Sequence, residues 1–335
     1  MYQDRPHAKV NLTLEVVGQR SDGFHELESI FVRIGLSDRL TMAPGSDGAR
    51  DQLTVTGLAG APPTRDNLVL RALDALRGHA GIDFPPIAVT LDKRIPAAAG
   101  LGGGSSDGAS AIRLAQACWG VGLSVEEELR LGLELGSDVP FFLSGAAAAR
   151  VEGRGELVTP LPDPTDLGLL LVTPPIALST ARVFARYDDL GSELRLPPLR
   201  NVDTHRLVDA AELLRGANDL WPAASSLEPS LHALRNELET HAARPWMMSG
   251  SGPTLFALYS SAGEAAEAGQ ALVARRSLAL DGALLNAVDW SASTQPGGIR
   301  ESQSRLDQWR SDSHGPVQPG HRCRKSRVCG RSSGT

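Results

Sequence analysis

Aromatic residues are scarce: Phe, Trp and Tyr together supply 4% of the 335 residues. A core in a chain of this length must then be built from Leu, Val, Ile and Ala. Cysteine is nearly absent, and three cysteines argue against a disulfide scaffold. Cys118 falls in an apolar helical pattern and reads as a buried thiol. Cys323 and Cys329 have no His or Cys set at ligand spacing to complete a metal site. No apolar run reaches the roughly eighteen residues that a membrane-spanning helix needs, so no membrane partner is expected. The opening Met1–Pro6 lacks the charged-then-apolar order of a secretory signal, which leaves the cytoplasm as the expected compartment.

Charge is plentiful but lopsided. The formal net charge is −6; from Thr294 onward eight Lys/Arg face three Asp/Glu, a balance of +5, which leaves −11 on everything before it. An acidic body argues against nucleic acid as a partner. It does not exclude a phosphate-bearing ligand, because backbone N–H groups can hold phosphate locally. Residues 294–335 are rich in Gly, Ser, Pro and Arg without apolar periodicity, and read as a disordered basic tail.

What is present is a mixed pattern of strands and helices. Val10, Leu12, Leu14 and Val16 alternate with polar residues and predict a strand over 7–17. Gln19–Gly23 reads as a turn, and Glu26–Ile34, Arg39–Ala43 and Gln52–Thr56 as further strands. Asn67–His79 has helical spacing, Pro85–Leu91 predicts a strand, and Ser105–Trp119 predicts a helix. Ser124 and Glu127 form a capping box for the next helix, and Asp138–Leu143 is a short apolar helix or turn. Beyond these, helices are predicted at 179–187, 204–215, 228–241 and 262–275, and strands at 168–173, 254–260 and 283–289. Strands and helices without regular alternation predict an α+β fold. A Pro/Asp-rich link between Leu157–Pro162 and Leu167–Val172 divides the chain into an N-terminal domain over 1–163 and a C-terminal domain over 164–293, followed by the tail 294–335.

The strongest local signal is Lys93-Arg94-Ile95-Pro96-Ala97-Ala98-Ala99-Gly100-Leu101-Gly102-Gly103-Gly104-Ser105-Ser106-Asp107. Four glycines in five positions let the backbone approach a ligand closely and visit positive φ. The loop opens into a helix whose first N–H groups have no internal partner, which makes an anion site with phosphate as its usual occupant. Ser105 and Ser106 either cap that helix or offer hydroxyls to a phosphate or a magnesium-bound water. A P-loop is excluded because no Lys follows the glycines. A dinucleotide fingerprint is excluded because the positions three beyond Gly102 and Gly104 are Ser105 and Asp107.

The run Pro96-x-x-x-Gly100-Leu101-Gly102-Gly103-Gly104-Ser105-Ser106 resembles the phosphate loop of the GHMP kinases, the galacto-, homoserine, mevalonate and phosphomevalonate kinases. Two further segments resemble that family in the same order: Ala8-Lys9-Val10-Asn11-Leu12 and Met248-Ser249-Gly250-Ser251-Gly252-Pro253. Three more place the chain nearest the members that act on a cytidine diphosphate ester of methylerythritol in the non-mevalonate isoprenoid pathway. They are Gly18-Gln19-Arg20-Ser21-Asp22-Gly23-Phe24-His25, Gly136-Ser137-Asp138-Val139-Pro140-Phe141-Phe142 and Asn218-Asp219-Leu220. The resemblance covers roughly residues 7–290. It implies a two-domain architecture with the active site in the cleft between domains, ATP and Mg2+ as cofactors, and Pro96, Ala97, Ala98, Ala99, Gly100, Leu101, Gly102, Gly103, Gly104, Ser105 and Ser106 as the nucleotide loop.

The resemblance also implies that Lys9 and Asp138 are the catalytic pair, Asp138 orienting the attacking hydroxyl and Lys9 balancing charge. An aspartate with an ordinary pKa of about 3.9 is a weak base toward an alcohol. A loose phosphoryl-transfer transition state lets the proton leave late, so positioning can outweigh basicity. Asp138 is equally suited to cap the turn that follows it. Phe24 and His25 are implied as the cytosine pocket, Phe24 stacking on the base and His25 bonding its edge. Phe184 would close the sandwich, although Val183 and Tyr187 also set it in a core-packing pattern. Asn11, Lys93 and Thr180 are implied near the small-molecule substrate. Two other readings remain: another kinase of the family, such as homoserine kinase, and a non-catalytic RNA-associated protein, which only the basic tail favours.

Overall fold

Two strands of thirteen residues, β2 (His7–Gln19) and β3 (His25–Ser37), pair antiparallel from Lys9↔Arg33 to Gln19↔His25 and form the hairpin around which the rest is arranged. The computed structural model describes residues 1–46, 50–58, 65–164, 167–191, 206–274 and 283–289, so the basic tail lies outside the described residues. The hairpin extends through β7 (Ala148–Gly153) and β8 (Leu157–Leu161) into an antiparallel sheet ordered β2-β3-β7-β8. A second sheet, β1-β4-β6-β5, is built from β1 (Tyr2–Asp4), β4 (Arg39–Pro44), β5 (Gln52–Gly57) and β6 (Ile87–Lys93), with β5 and β6 parallel. The third sheet, β10-β11-β9-β12, uses β9 (Gly168–Thr173), β10 (Met247–Met248), β11 (Leu255–Tyr259) and β12 (Leu284–Asp289), all antiparallel.

The predicted alternation in β2 is present, but both of its faces are buried. Val10 and Leu12 enter a core shared with Ile30, Val32, Leu169, Leu171 and Phe256. On the other face, Lys9, Asn11 and Thr13 are withdrawn from solvent as well. Register irregularities between His7 and Lys9 and between Asn11 and Thr13 bracket this polar stretch, the kind of bulge that re-aims side chains. β9 is buried throughout because it separates two cores: Leu169 and Leu171 face one, Leu170 and Val172 the other. That explains its unbroken apolar run.

Helices α1 (Leu68–Ala80), α2 (Gly103–Trp119), α3 (Val125–Leu135) and α4 (Val139–Leu143) pack on one another beside the second sheet. Asn67 caps α1 by accepting from the Val69 N–H, and Gly81 ends it in the left-handed region. The Ser124/Glu127 capping box starts α3 as expected. Cys118 on α2 is buried and free, and burial pushes its thiol up to about 11. Later in the chain come α5 (Thr180–Leu190), α6 (Ala211–Leu214), α7 (Trp221–Leu227), α8 (Pro229–Ala242) and α9 (Ala262–Ala274). The predicted helix at 204–215 is reduced to α6 preceded by turns, its first two residues lying outside the described residues. Leu207, Ala211 and Leu214 bury one apolar stripe without a continuous helix beneath it. α2 starts two residues before the predicted Ser105, inside the glycine run. β1, β7, β10 and α7 are not foreseen in the sequence. The proposed boundary at 163/164 falls between β8 and β9.

Asn218-Asp219-Leu220 fastens β2 to the later half of the chain. Leu14 N–H donates to Ala217 O at 2.7 Å, and Asp219 N–H to Leu14 O at 2.9 Å. Asp219 Oδ2 accepts from the Val16 N–H at 2.9 Å. Asn218 Nδ2 donates to Met248 O and Gly250 O, both at 2.9 Å, while its Oδ1 accepts from Leu220 N–H at 3.0 Å. Asn218→Ala leaves two carbonyls and one amide short of partners. At 1–3 kcal/mol for an unsatisfied buried group, the expected loss is about 3 kcal/mol in urea unfolding. A loss below about 0.5 kcal/mol would show that the clamp is dispensable.

Candidate active site

A cavity of about 1010 Å³ opens between the polar face of β2, the glycine loop, the start of α4 and the start of α5. Lys9, Asn11, Phe24, His25, Lys93, Asp138, Thr180 and Phe184 line it, together with the whole run Pro96–Gly104 and Ser105. Ser106, grouped with them from the sequence, is buried in the first turn of α2 and is absent from the cavity wall.

Lys9 is buried, and its Nζ lies 3.3 Å from Asp138 Oδ2 and 4.4 Å from the centroid of Phe31. It donates to Asn11 Oδ1 at 2.6 Å, and Asn11 Nδ2 in turn donates to Ser29 Oγ at 2.9 Å. Each polar group on this face therefore fixes the next. Asp138 occupies the cap position of α4, but its side chain makes no capping hydrogen bond. The capping alternative is thus not realised; the carboxylate turns toward Lys9, with 30% of its side chain exposed at the cavity.

The glycine loop is pressed against the turn at 249–252. Gly100 has φ +77°, and a Cβ there would lie 2.2 Å from Ser249 O. Ser249 Oγ donates to Gly100 O at 2.9 Å. Gly102 has φ +68° and serves as the cap of α2 without a side-chain bond, leaving the first amides of that helix facing the cavity. Gly103 does not need positive φ; a Cβ there would meet Ile95 Cγ2 at 2.7 Å. Gly104 has only Leu68 Cδ1 near, at 3.8 Å, so its missing side chain leaves room for something outside the protein.

Lys93 lines the cavity at one end of a buried node. Its Nζ donates to Asp107 Oδ2 at 2.7 Å and to Asp38 Oδ2. Asp38 Oδ1 also accepts from the Ile95 N–H at 2.8 Å and from the Arg94 N–H, so the same carboxylate sets the entrance to the glycine loop. Burial alone would lower the Lys93 ammonium, but Asp107 and Asp38 outweigh it and hold it above its ordinary value. Burial pushes the Asp107 carboxyl up, to about 8, against the pull of Lys93 and with the help of Asp38.

The aromatic residues that line the cavity meet one another and polar partners, and do not form an empty sandwich. His25 stacks on Phe184 with ring centroids 4.8 Å apart, and its Nε2 is bonded to Asp188 Oδ1 at 2.8 Å. Phe24 is half-exposed, with the Arg154 guanidinium 3.7 Å over its ring. Thr180 Oγ1 and Ser251 Oγ are 2.9 Å apart, joining α5 to the turn at 249–252. Sequence reasoning missed Asp188, Arg154 and Ser251. Asp188 stands four residues after Phe184 on the same helix face, which is a readable signal. Arg154 sits alone between two glycines and carries no pattern.

Known proteins resemble this chain over most of its length. The GHMP kinases N terminal domain family matches residues 67–146, and the GHMP kinases C terminal family matches residues 199–276. A 4-diphosphocytidyl-2-C-methyl-D-erythritol kinase from Mesorhizobium japonicum is 39% identical over 274 residues, covering 81% of this chain and 90% of that protein. A crystal structure of a 4-(cytidine 5'-diphospho)-2C-methyl-D-erythritol kinase superposes with a TM-score of 0.66 at 32% identity, covering 86% of this chain and 99% of the other. A homoserine kinase from Cytophaga hutchinsonii shares the fold, with a TM-score of 0.57 at 18% identity over 88% of this chain and 97% of its own.

Two outcomes are expected. Between an unfolded-state pKa of about 3.9 and the folded value of about 8, the native protein holds the Asp107 proton and the unfolded chain has released it, so stability falls as pH rises. Asp107→Asn removes that titration. Its stability relative to the parent should climb across this window and level off above it, as read by urea unfolding at several pH values; a constant difference would contradict the assignment. Gly104→Ala should leave the melting temperature unchanged or raised, since Ala favours helix, while weakening ATP binding by about tenfold in calorimetry. Unchanged ATP affinity would place the phosphates elsewhere.

Proposed function

The chain belongs to the GHMP kinase family, and on that premise we propose that it transfers the γ-phosphoryl group of ATP to the 2-hydroxyl of 4-diphosphocytidyl-2-C-methyl-D-erythritol. The observation that carries this reading is the ion pair between buried Lys9 and partly exposed Asp138, facing one cavity that the start of α2 and the stacked His25 and Phe184 also line. These two parts of the wall suit the two halves of the reaction. Amides at the start of α2 suit the phosphates of ATP. Aromatic faces beside an imidazole edge suit a nucleobase, each stacked base contributing about 1–3 kcal/mol.

Asp138 accepts a hydrogen bond from the acceptor hydroxyl and aims its oxygen at the γ-phosphorus. Lys9 keeps that carboxylate in place and offsets negative charge as the phosphoryl group moves. Asn11 holds the Lys9 ammonium from the other side. Thr180 and Ser251 border the space for the substrate. No cluster of three or more His, Cys, Asp or Glu among the described residues forms a metal cage. A magnesium ion carried by ATP keeps several waters and binds chiefly through substrate phosphates, so a single hydroxyl beside the phosphate site suits it. Ser105, whose residue lines the cavity beside the α2 amides, would hold it; when bound, the ion neutralises phosphate charge. The homoserine kinase reading lacks a use for the aromatic part of the cavity, since a small amino acid has no base to stack.

The test is release of ADP from MgATP in the presence of the cytidine compound, homoserine, mevalonate or galactose. Turnover of the cytidine compound alone is expected, and Asp138→Asn should cut kcat by roughly 10²–10⁴ with ATP affinity nearly intact. Comparable turnover of the other alcohols without the cytidine compound would refute the substrate; near-parental kcat in the variant would refute the role of Asp138.

A further inference from the structure

Four potentially cationic side chains line the cavity: Lys9, Lys93, His25 and Arg154. Three already face carboxylates, Lys9 with Asp138, Lys93 with Asp38 and Asp107, and His25 with Asp188. Arg154 has no ion pair among the described residues; its charge reaches Asp22 only at longer range. Its Nε is buried without a hydrogen-bond partner. A buried N–H left unpaired costs stability unless a water or a ligand completes it; Arg33 Nε shares this state, but Arg33 does not line the cavity.

The position of Arg154 is built rather than incidental. It lies in the turn Gly153-Arg154-Gly155 between β7 and β8. A Cβ on Gly155 would come within 1.9 Å of Ser137 O, so this turn presses on the residue before Asp138. At its other end, Arg154 covers one face of Phe24. The turn that carries Arg154 therefore touches both Phe24 and the residue before Asp138. A hydrogen-bonded chain holds the two turns together: Arg154 N–H donates to Glu156 Oε2, and Arg20 Nη1 donates to Glu156 Oε1 at 3.2 Å. Arg20 Nε donates to Asp22 Oδ2 at 3.3 Å, and Asp22 Oδ1 accepts from the Phe24 N–H at 3.1 Å.

We propose that Arg154 binds the diphosphate of the substrate, the doubly anionic link between a base held at Phe24 and a polyol held at Asp138. The inference rests on the reading that a cytidine diphosphate ester occupies the cavity. A planar guanidinium presents paired N–H groups that match two phosphate oxygens, and its weak hydration suits a half-buried site. The amides of α2 and the magnesium ion serve ATP; without Arg154, the substrate's own charge would meet only cations already spoken for.

Calorimetry with cytidine and with CDP separates the contributions of base and phosphate. Arg154→Gln keeps a stem beside Phe24 and drops the charge, and Arg154→Lys restores the charge without the fork. The Gln variant should bind CDP about tenfold to a hundredfold more weakly, as expected for charged hydrogen bonds, and bind cytidine as the parent does. The Lys variant should recover part of the loss, and KM for ATP should stay put. CDP affinity within about twofold of the parent in the Gln variant overturns the proposal. So does an equal fall for cytidine and CDP, which would confine Arg154 to the base end. If the parent protein binds neither compound, the substrate reading itself fails and takes this inference with it.

Discussion

An ammonium group withdrawn from water is costly unless charge and hydrogen bonds surround it, and the placement of Lys9 makes the surrounding elements depend on that condition. Its side chain needs Asp138 from the start of α4, Asn11 from its own strand and the face of Phe31 from β3. Its backbone N–H donates to Leu101 O in the glycine loop at 2.9 Å. Three segments besides its own strand, β3, the glycine loop and the start of α4, are thereby held around one residue. The loop bends at Gly102, whose φ of +68° favours glycine and where a Cβ would crowd Lys9 Cε and Cγ at 3.1 Å.

A second node acts in parallel. Asp38 joins the end of β3 to the entrance of the glycine loop through two backbone amides and Lys93. The two nodes fix opposite ends of the same loop, Asp38 before Pro96 and Lys9 after Gly100. The run between them needs few side-chain bonds of its own, and its amides are left free for a ligand. Asn218 does comparable work for the turn at 249–252, which closes over Gly100 from the other half of the chain.

Much of this was legible in the sequence because the chemistry there demands unusual residues at fixed spacing. Four glycines before Ser105 are hard to explain by a turn alone, whereas Lys9 on a strand and Asp138 before an apolar turn have ordinary structural uses and stood out only through the family resemblance. What escaped has physical reasons. The burial of both faces of β2 could not be read from alternation, since Lys9 and Asn11 look like solvent-facing partners until the cavity is known. The helix expected at 204–215 obeyed its apolar spacing, yet turns present the same stripe with only α6 in regular form. The sequence did not reveal that Arg154 covers one face of Phe24 and His25 one face of Phe184. Such pairings depend on two turns meeting in space, and no periodicity records them.

The closure of Ser249 and Gly250 over the glycine loop also constrains how the protein is made. Asn11 N–H donates to Ser249 Oγ across 238 positions, and Gly100 O waits for the same hydroxyl. While the chain is being synthesised, the early strands can form as they emerge, but β2 and the loop keep unmet carbonyls and amides until this turn leaves the ribosome. A nascent chain stopped before that point would display an open, polar seam along β2. Gly250 and Ser251 are part of the cleft wall, so a chain that stops before them cannot assemble a finished active site.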